Sequence, residues 1–257
     1  MLHDTGHASF LTADTSLEVP ALASVATHTE PWATHELEYA RLQLQLPLRP
    51  DQIPQWRRFV NLFVGQHNDH FHNHQAPQRY HYRYPLVQYK VADRQATLFG
   101  YGAAGTAALR QLAEEPRFQT HCREWLGAGS YALAVHHEPL HLHSTLTRTY
   151  TLRQYIALNE ANLRAWQTQP GLAARTALLE RCLVGHLLKF ASAIRWQLPP
   201  RALRVEVLDF SIRPVRGFDN PFLGFHVRFR SNLDLPNRVG LGKAVSHGFG
   251  VVERIGA

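Results

Sequence analysis

Cysteine, lysine and acidic residues are scarce in this chain, and each shortage excludes something. The two cysteines, Cys122 and Cys182, stand alone with no Cys-x-x-Cys pair. That spacing excludes a zinc ribbon and a disulfide framework, and it fits a reducing, cytoplasmic compartment. No stretch approaches the ~20 consecutive apolar residues of a membrane-spanning helix. The first residues lack the basic start and apolar run of a secretion signal. Acidic residues number 20 against 27 basic ones, a net charge of +7 with 17 histidines uncounted. A surplus of this sign points to nucleic acid or an anionic surface as partner. Only three of the basic residues are lysines, Lys90, Lys189 and Lys243. Arginine pairs bidentately with phosphate and stacks on bases, which suits RNA. A GC-rich genome produces the same arginine excess. The 257 residues, 45% hydrophobic, suffice for one large domain or two small ones.

The chain has glycine where it matters most, near its end. Gly240, Gly242, Gly248 and Gly250 bracket a loop holding Lys243, Ser246 and His247. Glycine tolerates positive φ and lets backbone amides approach a ligand. Successive exposed N–H groups form an anion nest, to which one lysine adds a formal charge. The loop is not a nucleotide-triphosphate loop, which needs four residues between its first Gly and Gly-Lys, then Ser or Thr. Here one residue separates Gly240 from Gly242, and Ala244 follows Lys243. The expectation is a phosphate-binding loop, the alternative a set of turns.

Residues 1–34 show no sustained period and read as a loosely ordered arm. Residues 42–46 alternate with period two, the mark of a half-buried strand. Ile53, Trp56, Val60, Phe63 and Val64 recur at helical spacing, with Pro54 in the first turn and Gly65 past the end. Residues 82–91 and 95–100 read as strands around a turn at Asp93, and 104–114 as a small helix. Residues 131–135 and 140–148 read as two further strands. The order strand, helix, strand, strand, helix, strand over 35–150 is that of a ferredoxin-like unit. Helices are expected over 152–168 and 172–196, then strands over 203–210 and 222–230. In the last, Leu223, Phe225, Val227 and Phe229 alternate with His226, Arg228 and Arg230. One face is core. The other is a basic stripe, read as a phosphate contact together with Arg238.

Five histidines fall between 67 and 81: His67, His70, His72, His74 and His81. Three readings compete: a metal site, acid–base catalysis, or a polar loop. In an extended segment, residues two apart share a side, roughly 6.6 Å apart. His72 and His74 then face one site; on a helix they diverge by about 200°. Two imidazoles with ordinary pKa near ~6.5 supply one base and one acid near neutral pH. That pair suffices to cleave RNA through its own 2′-hydroxyl, and each proton transfer contributes ~10²–10⁴ in rate. Zinc would need a further ligand, for which Asp69 and the cluster His136, His137, His141 and His143 are candidates. His186 lies on an apolar helical stripe and reads as a hydrogen-bonded core histidine.

Four segments together resemble one family. They are Phe-His-Asn-His at 71–74, Tyr-Arg-Tyr-Pro-Leu-Val-Gln-Tyr-Lys at 82–90, Leu-Leu-Glu-Arg-Cys-Leu-Val-Gly-His-Leu-Leu-Lys-Phe at 178–190, and Leu-Pro-Asn-Arg-Val-Gly-Leu-Gly-Lys-Ala-Val-Ser-His-Gly-Phe-Gly at 235–250. In this order they resemble the CRISPR repeat-processing endoribonucleases, in the two-histidine branch found with subtype I-B-like systems. The resemblance covers about 37–255. It implies an α+β fold of tandem ferredoxin-like (RRM-like) domains, here 35–150 and 151–257, the second degenerate and ending in the glycine-rich loop. It implies metal-independent cleavage, with no cofactor, of repeat RNA in a CRISPR precursor transcript, leaving a 2′,3′-cyclic phosphate. A Cascade-type effector complex is the implied partner besides RNA. By position His72 and His74 match the family's histidine pair, and Tyr82 lies near a tyrosine placed at such sites. Gly240, Gly242, Lys243, Gly248 and Gly250 match its RNA-binding loop. His247 departs from the pattern, where relatives carry a hydrophobic residue; it adds a phosphate donor or a pH response. Two other readings stay open: a guide-RNA-binding subunit that does not cut, and a metal-dependent hydrolase.

Overall fold

The computed structural model describes residues 32–64, 71, 74–76, 79–80, 84–217 and 220–256, with 74–76, 79–80, 216, 217, 220 and 221 described by backbone alone. The expected arm up to residue 31, and the positions of His72 and Tyr82, lie outside the described residues.

Alternation produces a long strand, β1 (Ala33–Pro47), with Ala40, Leu42 and Leu44 buried on one face and Leu37 buried on the other. Next come α1 (Ile53–Asn61), the short β2 (His74–Ala76) and β3 (Arg79–Tyr80), β4 (Val87–Ala92), β5 (Gln95–Tyr101), α2 (Gly102–Glu114), α3 (Pro116–Leu126) and β6 (Tyr131–Leu142). The four long strands form an antiparallel sheet in the order β4-β5-β1-β6. Leu42 sits between Leu98 on β5 and Leu133 on β6. Ile53, Trp56 and Val60 of α1, Leu109 and Leu112 of α2, and Phe118 of α3 close over one face.

Two expectations for this half need correction. Residues 131–142 form one strand, not two, because β1 offers an unbroken template from Ala33 to Leu44. Pro139 falls within it, tolerated because β6 is the edge of its sheet. Helix α3 was not expected. Pro116 starts it, and the Glu115 carboxylate accepts from the Arg117 amide at 3.4 Å.

The second half runs β7 (Arg148–Tyr155), α4 (Glu160–Thr168), α5 (Leu172–Ala193), β8 (Val205–Gly217), β9 (Asn220–Ser231) and β10 (Val251–Ile255). Its antiparallel sheet has the order β10-β7-β9-β8, the same ferredoxin-like order as the first. Among the described residues, no helix of more than three residues joins β9 to β10; the glycine loop takes that place. The helix expected over 152–168 is split. Leu152 and Tyr155 are fully buried and pair with Val227 and Phe225 in the sheet. The helix starts only after Asn159, whose side chain caps it by accepting from the Asn162 amide at 2.7 Å.

The halves share a core. Leu179, Leu183, Leu187 and Phe190 of α5 belong to one apolar cluster with Phe225 and Phe229 of β9 and with Tyr101, Leu140 and Leu142 of the first sheet. Trp196, just past α5, stacks on His35 of β1 with ring centroids 5.4 Å apart. Buried Asp234 draws Arg148 Nε at 2.7 Å, Arg254 at 3.4 Å and His143 at 3.4 Å. His143 is thereby engaged with a structural carboxylate of the second half.

Lys90 of β4 is 2% exposed, and its Nζ has no hydrogen-bond partner. Burial, reinforced by the nearby Arg238 charge, lowers its pKa to about 7 from 10.5. The folded state thus prefers the neutral amine, and the unfolded state holds the proton up to its ordinary pKa. Stability should rise as pH climbs from about 7 toward 10.5, and Lys90 should add no pH dependence below about 7. Lys90→Met should flatten that rise and stabilise the protein at pH 7 in chemical denaturation. An unchanged pH profile would contradict this.

Candidate nucleic-acid interface

The glycine loop does not hang free from the second sheet. It docks on β4 of the first. The amide of Gly240 donates to Gln88 Oε1 at 2.9 Å, and its carbonyl accepts from the Tyr84 hydroxyl at 2.7 Å. Gln88 is fully buried, and its Nε2 donates onward to the Tyr84 oxygen at 2.8 Å and the Pro85 carbonyl at 3.2 Å. Both backbone groups of one buried glycine are thus satisfied by side chains of the other half. Arg238 adds a tether, donating to the Val91 carbonyl at 3.3 Å and lying 3.7 Å from Asp93.

The remaining amides qualify the expected nest. Those of Leu241, Lys243, His247, Gly248 and Gly250 donate to Gly250, Ile156, Ala244, Val245 and Gln154 carbonyls. They hold the loop's own shape. Glycine is needed for packing as much as for approach. At Gly242, φ is +94°, and a Cβ would lie 2.7 Å from the Ile156 oxygen and 2.8 Å from the Tyr155 ring. At Gly248, φ is +88° and a Cβ would collide with Ile53 of α1.

Docking creates a cleft of about 1160 Å³. Its walls are α1, the start of α4, the middle of α5 and residues 242–247 of the loop. Arg57, Arg164, Arg181, Lys189 and Lys243 line it, against one carboxylate, Glu160. Ser246 and His247 also line it, so the cleft collects Gly242, Lys243, Ser246 and His247 of the expected loop residues.

Arg57 spans the cleft floor. Its guanidinium lies 2.8 Å from His247 Nε2 and donates to the Phe71 carbonyl at 3.3 Å. Arginine only donates, so Nε2 accepts and the proton sits on Nδ1. Burial and then the Arg57 charge lower the His247 pKa to about 4. His247 is therefore neutral at physiological pH, and the expected pH response moves to acid. Its stabilising contribution should fade as pH drops from about 6.5 to about 4. Phe71 is buried and directly precedes His72. The loop from one half, α1, and the segment entering the His-x-His sequence thus meet at one guanidinium.

His74 opens β2, its backbone opposite Tyr80 of β3; residues 72 and 73 before it lie outside the described residues. The arginines of β9 go elsewhere. Phe225, Val227 and Phe229 turn to the core, so Arg228 and Arg230 emerge on the exposed face. Arg230 pairs with Glu206 at 2.6 Å. Neither lines the cleft, and Arg238 serves the tether. Arg57 was not among the expected site residues, although it lines the cleft. His186 was expected as a hydrogen-bonded core histidine; the bond is there, to Tyr155, but the residue is half-buried on the cleft wall.

Residues 35–120 match the Cas6b N-terminal domain, and residues 143–255 match the Cas6b C-terminal domain. The chain belongs to the Cas6b family. Among Cas6b structures, one described as a crystal structure of Cas6b has a TM-score of 0.68 at 23% identity, covering 86% of this chain and 100% of that one. Another, described as the CRISPR RNA processing endoribonuclease Cas6b, has a TM-score of 0.61 with the same identity and coverage. At that identity the likeness is one of fold. The uncharacterized protein MJ0978 of Methanocaldococcus jannaschii is 33% identical over 101 residues, 39% of this chain and 67% of that protein. The Cas6b N-terminal match stops at 120, although β6 beyond it completes the first sheet.

Arg57→Ala should cost ~1.5–3 kcal/mol in chemical denaturation, the range for a hydrogen bond to a charged group. It should also speed amide exchange at His247 and Gly248. Unaltered exchange at both would show that Arg57 does not hold the loop.

Proposed function

We propose that the cleft is where this Cas6b-family endoribonuclease holds and cuts the repeat RNA of CRISPR precursor transcripts. The observation that carries the reading is the Arg57 junction. A lysine-bearing loop from the second half is fixed against the residue that precedes His72.

The chemistry follows from the groups. Deprotonation of the ribose 2′-hydroxyl lets its oxygen attack the adjacent phosphorus. The bond from phosphorus to the 5′-oxygen breaks, leaving a 2′,3′-cyclic phosphate and a 5′-hydroxyl. One of His72 and His74 takes the 2′ proton as base, and the other protonates the 5′-oxygen as acid. Tyr82 is assigned beside them by resemblance. Lys243 adds positive charge to the cleft that receives the phosphate backbone. The nucleophile belongs to the substrate, so the scheme requires no metal ion. Cationic walls hold the flanking backbone, and the retained product is passed to a Cascade-type effector complex.

The test is cleavage of the cognate repeat RNA in EDTA. The wild-type protein should cut it to a cyclic phosphate. A His72→Ala/His74→Ala double variant should lose at least ~10²-fold in rate, the scale of one proton transfer, while still binding. A 2′-deoxy nucleotide at the scissile position should leave the RNA bound and intact. Cleavage that needs added metal, or that survives the double change, would overturn the mechanism. Tight binding with no turnover would instead mark a guide-RNA carrier.

A further inference from the structure

The α5 wall of the cleft carries a histidine far along the chain from the His-x-His segment. His186 Nδ1 lies 2.7 Å from the Tyr155 hydroxyl, with the rings edge-on at 5.6 Å. Tyr155 is fully buried, and burial holds its hydroxyl protonated. With Nδ1 so engaged, Nε2 is the ring atom left for the cleft that His186 lines. Lys189 follows three residues later on the same helix, and Lys243 reaches the same space from the glycine loop; both are exposed. Among the described residues, neither lysine forms a salt bridge. Two unpaired ammonium groups and one imidazole nitrogen therefore converge from two elements.

The arrangement is costly for the protein alone. Burial, then Lys189 and Lys243, lower the His186 pKa to about 4. The other groups facing this wall deepen the positive field: Arg181 on α5, Arg164 on α4 and Arg57 across the cleft, against Glu160 alone. Cys182, one turn before His186, is occupied with Asn162 at 3.3 Å. The missing component is an anion.

We propose that His186, Lys189 and Lys243 form a subsite for a backbone phosphodiester of the bound RNA, separate from the His-x-His pair. This rests on reading the cleft as the RNA site. The two ammonium groups neutralise the phosphate, and the imidazole donates from Nε2 to a non-bridging oxygen. Tyr155 fixes the ring, since a phenol both donates and accepts and so serves either protonation state. An anion in this place offsets the two lysines and favours imidazolium, so RNA binding takes up a proton here.

The experiment is an NMR titration of the histidine rings in the full chain, with His186→Asn identifying the resonance. The probes are repeat RNA carrying a 2′-deoxy scissile nucleotide, which cannot be cut, and inorganic phosphate. Saturating RNA should raise the His186 midpoint by about one unit or more, since an adjacent opposite charge shifts a pKa by ~1–3. A Lys189→Met/Lys243→Met double variant should raise it without RNA and abolish the RNA response. Each lysine removed should lower the salt dependence of RNA affinity by about one in log–log slope. A His186 midpoint unmoved by bound RNA would overturn the subsite while leaving cleavage by His72 and His74 untouched. A response to inorganic phosphate but not to RNA would also overturn it. A shifted midpoint in a protein that never cuts the ribose form would support the subsite and sink the nuclease reading alone.

Discussion

The geometry of the cleft depends on a buried glycine whose amide and carbonyl are both answered across the junction of the two sheets. Gly240 donates to Gln88 and accepts from Tyr84. A single such bond stabilises by only ~0.5–1.5 kcal/mol net, but a buried amide left without a partner costs ~1–3 kcal/mol. The closed Gln88–Tyr84–Gly240 network therefore selects one docked position for the loop. A shift of the loop would strand both backbone groups away from water. From that position the rest follows: Gly248 lies on Ile53 of α1, His247 meets Arg57, and Lys243 faces α5 across the cleft.

Charge is distributed around this joint in a way the net figure hides. The chain's three lysines all lie at it. Lys90 is buried beneath Gly240, while Lys189 and Lys243 border the cleft. The arginines divide by task. Arg238 ties the loop to the β4–β5 turn, Arg57 locks His247, and Arg230 neutralises Glu206 on the far sheet. A lysine carries a compact, strongly hydrated charge on a flexible stem, suited to a phosphate that must enter and leave. Arginine's planar fork suits a fixed bond to a carbonyl or ring nitrogen.

The parts of the fold legible in the sequence were those written in local periodicity. Alternation at 42–46 and 222–230 marked β1 and β9, and helical spacing at 53–64 and 172–194 marked α1 and α5. What failed was decided by distant partners. Residues 131–142 became one strand because β1 lay alongside, and Leu152 and Tyr155 joined a sheet because Val227 and Phe225 faced them. The glycine loop was found, but its amides were read as open, whereas five of them donate to carbonyls of the loop itself or of residues 154 and 156. Arg57 and His247 are 190 positions apart, so no local pattern announces their contact. A signal for His186 did exist: its spacing from Lys189 inside the segment 178–190 puts both on one helical face. The motif at 82–90 resembled the family before its task was visible; Tyr84, Gln88 and Lys90 are the residues beneath Gly240.

The central claim is that the docked loop makes the cleft the path of the RNA. It is tested most directly by a crystal structure of the protein with an uncleavable repeat RNA. The account predicts backbone phosphates between α1 and α5, one of them within hydrogen-bond reach of Lys243, with Gly240 still bound to Gln88 and Tyr84. RNA running instead along the exposed arginine face of β9, or a loop released from β4 in the complex, would contradict it.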